Sequence, residues 1–215
     1  DWDEGPFRQS ERGALYADAI AALGARGLAY PCACTRRELE AAPLSSTGER
    51  VYPGTCRQGI PVDRVTRARR SIRVRVDDAV VGFVDRLQGP QRQDLAREVG
   101  DFVVRRSDGL AAYQLAVVVD DAEQRVTHVV RGADLLASTP RQIHVQRALG
   151  VTTPAYLHVP LAINASGEKL SKQTHARALP DDPLPALVAA WRFLDQPDGE
   201  FDTLADFWAH AFASW

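Results

Sequence analysis

Three cysteines are the first residues in this sequence whose types and spacing suggest chemistry. Cys32 and Cys34 are separated by one residue, and Cys56 follows across a segment long enough to fold back on them. Three thiolates leave a tetrahedral zinc site one ligand short, and no histidine precedes His128. Tyr52 is the nearest unusual fourth donor, with Glu49 or water behind it. Reduced thiols packed as small apolar groups are the competing reading, and spacing alone does not separate the two.

A second group lies in the polar run from Ser166 to Gln173. Lys169 and Lys172 are the only lysines among the 26 Lys and Arg of the chain. Compact ammonium groups flanking a serine can meet phosphates that gather negative charge in a transition state. The order of residues is not that of a Walker loop, and a solvated turn is the plainer reading. The scarcity of lysine elsewhere favours a site that needs a compact cation.

Tyr113 stands just before an apolar run, and Arg131 ends the next one, beside Gly132. In open α/β sheets ligands bind beyond the strand ends. An arginine there can fork onto a carboxylate, and a phenol can hydrogen-bond an amine or carboxylate. A strand-end arginine paired with Asp134 is the competing reading. A fourth group, Arg64, Arg67, Arg69, Arg70, Arg73 and Arg75, could track a phosphate backbone, although a solvated strand face suits any single one of them.

The elements that must position these groups follow from periodicity. Ser10 can cap a helix running to about Arg26, and Thr35 with Glu38 forms a capping box for a short second helix. Pro43 to Gly54 reads as an irregular loop. Ser71 to Val76 alternates as a half-buried strand, with Ile72, Val74 and Val76 on one face and Arg73 and Arg75 on the other. Val80 to Val84 and Phe102 to Arg105 read as further strands. Leu115 to Val119, Val126 to Val130 and Tyr156 to Ile163 are apolar runs expected as strands of a parallel sheet. Thr139, Pro140 and Gln142 specify a helix start, with Thr139 as N-cap and Gln142 as its capping-box partner. Amphipathic helices follow from Asp182-Pro183 and from Leu204. The expected fold is α/β with a doubly wound parallel sheet and a small mixed module inserted before it.

Composition narrows the function classes. The 215 residues carry 28 acidic and 26 Lys or Arg side chains, a net charge of −2, which excludes a strongly basic nucleic-acid coat. No apolar run approaches the ~20 residues of a membrane span, and no secretion signal opens the chain. Three cysteines without such a signal suit a reducing compartment with a metal or free thiols. The chain contains no Met and begins at Asp1, which leads to the expectation that an N-terminal piece is missing.

At these residues the chain resembles a known family. Glu168-Lys169-Leu170-Ser171-Lys172 resembles the second signature, written KMSKS, of class I aminoacyl-tRNA synthetases. The segments from Ala112 to Asp121 and from Val130 to Leu136, with Ser138 to Gln142, resemble the glutamate-handling core of the glutamyl-tRNA synthetase branch. The resemblance covers essentially the whole chain. It is nearest to that branch's short paralogue, because too little chain follows Lys172 for an anticodon-binding domain and because Cys32, Cys34, Tyr52 and Cys56 match a zinc pattern in which tyrosine is a ligand.

The resemblance implies a class I Rossmann-like fold. Residues 1–29 and 107–215 would form an incomplete catalytic domain, 30–60 a zinc-binding module, and 61–106 an inserted module with a candidate tRNA contact. It implies that ATP, with Mg, and L-glutamate give glutamyl-adenylate without tRNA, and that glutamate then passes to the queuosine base of tRNA(Asp). Lys172, assisted by Lys169, would bind ATP phosphates and stabilise departing pyrophosphate, while Tyr113 and Arg131 would hold glutamate. A cytoplasmic monomer is expected. The family's first signature, written HIGH, a glutamate-binding arginine and an acidic residue for the amino group would all lie upstream of Asp1. The alternatives are a truncated glutamyl-tRNA synthetase catalytic domain and a catalytically inactive, zinc-containing RNA-binding paralogue.

Overall fold

The structure is a computed structural model that describes residues 4–46, 48–171 and 178–214. It divides into two compact units. One comprises residues 1–131 and 135–158, and the other 132–134 and 159–215.

The first unit opens with a 3-10 turn, Gln9–Glu11, that runs into α1 (Gly13–Ala25). Ser10 therefore does not cap α1. It lies inside the preceding turn, and Arg12 takes the N-cap position without a side-chain bond. Strand β1 (Ala29–Cys32) leads to α2 (Arg36–Glu40), where the capping box forms as expected. The Thr35 hydroxyl accepts from the Glu38 amide at 3.3 Å, and the Glu38 carboxylate accepts from the Thr35 amide at 2.7 Å. Strand β2 (Ser71–Val74) pairs antiparallel with β1 and with β5 (Phe102–Arg105). Between them come the hairpin β3 (Val80–Asp85) and β4 (Gly89–Asp94), and the single turn α3 (Leu95–Glu98).

After β5 the chain forms α4 (Tyr113–Glu123), β6 (His128–Gly132), a 3-10 turn, α5 (Thr139–Leu149) and β7 (Ala155–Val159). Strands β4, β3, β7 and β6 lie side by side in that order. The β3–β4 pair is antiparallel, and β3 runs parallel to β7 with Asp85 opposite Tyr156.

Two further expectations need correction here. Leu115 to Val119 is the middle of α4 and not a strand. A short continuous apolar run has no period of its own, and the deciding signal is its neighbours: Leu115, Ala116, Val118 and Asp120 are buried at helical spacing. Asp120 extends that stripe with a polar residue because it is satisfied there. It accepts from Arg12 Nε at 2.7 Å, Gln9 Nε2 at 2.8 Å and the Tyr16 hydroxyl at 2.9 Å, which ties α4 to α1. Burial first, and then the bond to Asp120, pushes the Tyr16 phenol up to about 12.

The second correction is at Thr139. The 3-10 turn Ala133–Ser138 leads directly into α5, so Thr139 is a helical residue and no side-chain cap bond forms. Pro140 does lie in the first turn and Gly150 ends the helix in the left-handed conformation, as the sequence indicates. The side chains of Thr139 and Gln142 are thereby released for another task.

The core of this unit joins Leu23, Val74, Val81, Leu95, Val104, Leu115, Val118, Ile143 and Val145, all buried. Leu115→Ala tests α4 within it. Alanine is the better helix former, so any loss reflects packing alone. Urea unfolding is expected to show a decrease of about 2–5 kcal/mol with an unchanged slope. A loss below about 1 kcal/mol would contradict the burial of this helix.

In the second unit, α6 (Leu184–Phe193) and α7 (Leu204–Ser214) pack through Trp191, Phe207 and Ala211. Among the described residues no helix is long and apolar enough to cross a membrane.

Candidate active site and metal centre

The first unit gathers the three cysteines. Cys32 ends β1, Cys34 lies just before α2, and Tyr52 and Cys56 return on the loop that follows. Their three sulfurs lie within 4.8 Å of one another, with Cys34 and Cys56 3.7 Å apart. The Tyr52 hydroxyl oxygen lies 3.3 Å from Cys32 Sγ and 3.7 Å from Cys34 Sγ, and accepts from the Cys56 amide at 2.9 Å. Zn–S bonds of about 2.3 Å in a tetrahedron place sulfurs about 3.8 Å apart, so this donor set fits zinc.

Arginines surround the cluster. Arg64 Nη1 lies 3.1 Å from Cys34 Sγ, and the Arg73 guanidinium stacks 3.8 Å from the centre of the Tyr52 ring. Burial alone would raise the Cys32 thiol, but bonds from Tyr52 and the Cys34 amide, with Arg73, bring it down to about 7. Burial raises Cys34 to about 11. Tyr52 is anchored on its backbone as well. Its amide bonds the Val99 carbonyl, and a side chain at Gly100, whose φ is +68°, would approach the Tyr52 carbonyl oxygen to 2.7 Å.

The arginine series is thus largely committed within the protein. Arg64 and Arg67 both pair with Glu38, Arg70 bonds the Val65 carbonyl, Arg73 the Asp101 carbonyl, and Arg75 the Arg57 carbonyl. Arg73 is only 5% exposed, so its face of β2 is not solvated.

Tyr113 and Arg131 also meet. Arg131, in β6, sends Nη1 to the Tyr113 hydroxyl at 3.5 Å. Its other donors are taken by the protein: Nε by His158 Nε2 at 3.0 Å, and Nη2 by Thr139 Oγ1 at 2.8 Å and Gln142 Oε1 at 2.7 Å. The residues expected to cap α5 instead hold this guanidinium. With Nε and Nη2 occupied, the open corner is Nη1 beside the half-exposed Tyr113, so a carboxylate would meet one N–H and one phenol rather than a symmetrical fork.

His158 and Asp85 lie behind Arg131, and sequence reasoning passed over both. His158 Nδ1 is 2.6 Å from Asp85 Oδ2, while Asp85 Oδ1 accepts from the amides of Leu87, Gln88 and His158. Burial opposes the charged carboxylate. The Gln88 amide, the His158 ring, and the His158 and Leu87 amides outweigh it and hold its pKa below the usual value. A histidine inside the apolar run from Tyr156 to Ile163 was the available signal.

In the second unit, Asn164 to Lys169 forms a tight turn. Asn164 Oδ1 accepts from the Ser166 and Glu168 amides at 2.9 Å, and Ile163 bridges to Lys169. Lys169 pairs with Asp134, the residue considered above as a partner for Arg131. Lys172 lies outside the described residues.

A model of the family described as tRNA synthetases class I (E and Q), catalytic domain, matches residues 1–184. The chain belongs to this family. The fold is accordingly that of the class I synthetase catalytic domain, and solved members of the E branch are similar in structure. The glutamate tRNA ligase of Elizabethkingia meningosepticum, in complex with its amino acid, matches with a TM-score of 0.64 at 25% identity, over 80% of this chain and 37% of that one. The glutamate-tRNA synthetase of Elizabethkingia anophelis gives 0.63 at 26%, over 79% and 37%.

Closer relatives within the class I synthetases are proteins named glutamyl-Q tRNA(Asp) synthetase. That of Thiobacillus denitrificans is 60% identical over 84% of this chain and 59% of its own length. That of Burkholderia cenocepacia strain J2315 is 55% identical over 98% of this chain and 75% of its own length. The chain therefore spans less than two thirds of the Thiobacillus protein.

Proposed function

We propose that this synthetase-family chain belongs to a ligase that activates L-glutamate with ATP and passes it to the queuosine base of tRNA(Asp). The observation that carries this reading is Arg131. It is a cation held by buried acceptors, with one open N–H beside the Tyr113 hydroxyl, in a chain 60% identical to a glutamyl-Q tRNA(Asp) synthetase. Arg131 and Tyr113 hold the amino acid. A carboxylate oxygen of glutamate attacks the α-phosphate of ATP, the bond to pyrophosphate breaks, and pyrophosphate departs with the electron pair. Lys172, assisted by Lys169, offsets the charge that builds on those phosphates, and Mg accompanies ATP. Rate comes from positioning and fixed charge, with no covalent enzyme intermediate.

Cys32, Cys34, Tyr52 and Cys56 would hold a structural zinc, a role in which a closed set of protein ligands serves folding rather than substrate. A tRNA substrate suits a cytoplasmic protein, and a monomer is the expectation that the family resemblance carries.

Glutamate-dependent ATP–pyrophosphate exchange without tRNA tests the reading. Exchange with glutamate alone supports the queuosine ligase. Exchange that requires tRNA would favour the catalytic part of a glutamyl-tRNA synthetase, and none under either condition would favour an inactive RNA-binding relative. Lys172→Ala is expected to lower exchange about 10- to 100-fold with an unchanged melting temperature. Unaltered turnover in that variant would remove the loop from the mechanism.

A further inference from the structure

Asp85 and His158 are 1% and 0% exposed, and the chemistry above gives them no task. They come from β3 and β7, and β7 adjoins β6, the strand that carries Arg131. The hydrogen-bond directions between them have one solution. Arg131 Nε can only donate, so His158 Nε2 must accept. The ring proton therefore sits on Nδ1 and points at Asp85 Oδ2, 2.6 Å away. Asp85 is fixed in turn by three backbone amides through Oδ1. The result is a continuous line of oriented bonds from the β3–β4 turn to the guanidinium.

A pair kept only for stability would gain little from this arrangement, because apolar residues of like volume serve a buried site as well. What the pair supplies that apolar residues cannot is one tautomer and one ring orientation, and hence one plane for Arg131.

We propose that Asp85 and His158 are positioning residues, which set the Arg131 guanidinium so that Nη1 and the Tyr113 hydroxyl present themselves together to a substrate carboxylate. This rests on the reading that Arg131 binds glutamate. Substrate touches neither residue, and their effect reaches it through Arg131.

Asp85→Asn keeps shape and removes the charge. Its amide can donate to Nδ1 only if the ring proton moves to Nε2, which sets N–H against the N–H of Arg131. Turned the other way, the amide N–H faces the amides of Leu87 and Gln88. Either orientation breaks the line.

Calorimetric titration of the intact protein with L-glutamate reads the effect without requiring turnover. The dissociation constant is expected to rise roughly ten- to a hundred-fold in Asp85→Asn and His158→Leu. In His158→Gln, whose amide oxygen can still accept from Arg131 Nε, it should stay within a few fold. In exchange assays the same variants should raise KM for glutamate and leave KM for ATP unchanged, a split that a general loss of structure would not give. Nitrogen NMR of histidine-labelled wild-type protein should show His158 protonated at Nδ1. A ring protonated at Nε2 overturns the proposal without any variant. Wild-type protein that does not bind glutamate overturns the functional reading, whereas wild-type binding matched by Asp85→Asn overturns the positioning role alone.

Discussion

Replacing Arg131 with lysine is expected to lower glutamate-dependent exchange by about 100-fold or more although the charge is kept. Arg131 serves four acceptors on the protein, and one ammonium cannot reach them all. Three of these belong to Thr139, Gln142 and His158, each buried. Gln142 suffers most, because its Nε2 already has no partner among the described residues and the substitution would orphan its Oε1 as well. Each buried group left unpaired costs about 1–3 kcal/mol, so the melting temperature should fall together with activity. The two effects separate in steady-state kinetics. KM for glutamate should rise steeply, while KM for ATP in the folded fraction should not move. A lysine variant with the wild-type KM for glutamate would remove Arg131 from the amino-acid site.

The other large effect is expected at the cysteine cluster. Purified protein should contain close to one zinc per chain by elemental analysis, and Cys56→Ser should lose it. Without metal, three sulfurs and a phenol crowd one small volume, and the contacts among them are weak sulfur hydrogen bonds of 3.3–3.7 Å. A stability loss of about 3–5 kcal/mol would lower the melting temperature of a chain of this size by roughly 10 °C. Chelation of the wild type should reproduce the shift, and added zinc should reverse it. Metal-free protein with undiminished thermal stability would return the cysteines to the role of packed thiols.

Legibility in the sequence followed the range over which each signal acts. Cys32, Cys34, Tyr52 and Cys56 could be nominated together because spacing and resemblance both pointed to them, and the loop does bring them together. The Thr35–Glu38 box was readable for the same reason, as a purely local signal. Thr139 and Gln142 carried a valid capping pattern, but the preceding 3-10 turn removed the need for a cap, and both side chains turned to Arg131. Leu115 to Val119 was misassigned because its buried stripe continues into Asp120, whose partners, Gln9, Arg12 and Tyr16, are remote in the chain. Arg73 looked solvated by alternation, yet it lies under Tyr52. His158 was marked only by its place in an apolar run, and its partners Asp85 and Arg131 lie on other strands, so no local pattern announces the pairing.

The tight approach between Gly100 and the backbone of Tyr52 has a genetic consequence. A random-mutagenesis screen scored on zinc retention should recover changes at codon 100, although glycine contributes no ligand. Any side chain there would have to displace the Tyr52 carbonyl, and the phenol would move off the sulfurs with it. The heritable footprint of a zinc held there would therefore be wider than its ligands, and would include a residue that never touches it.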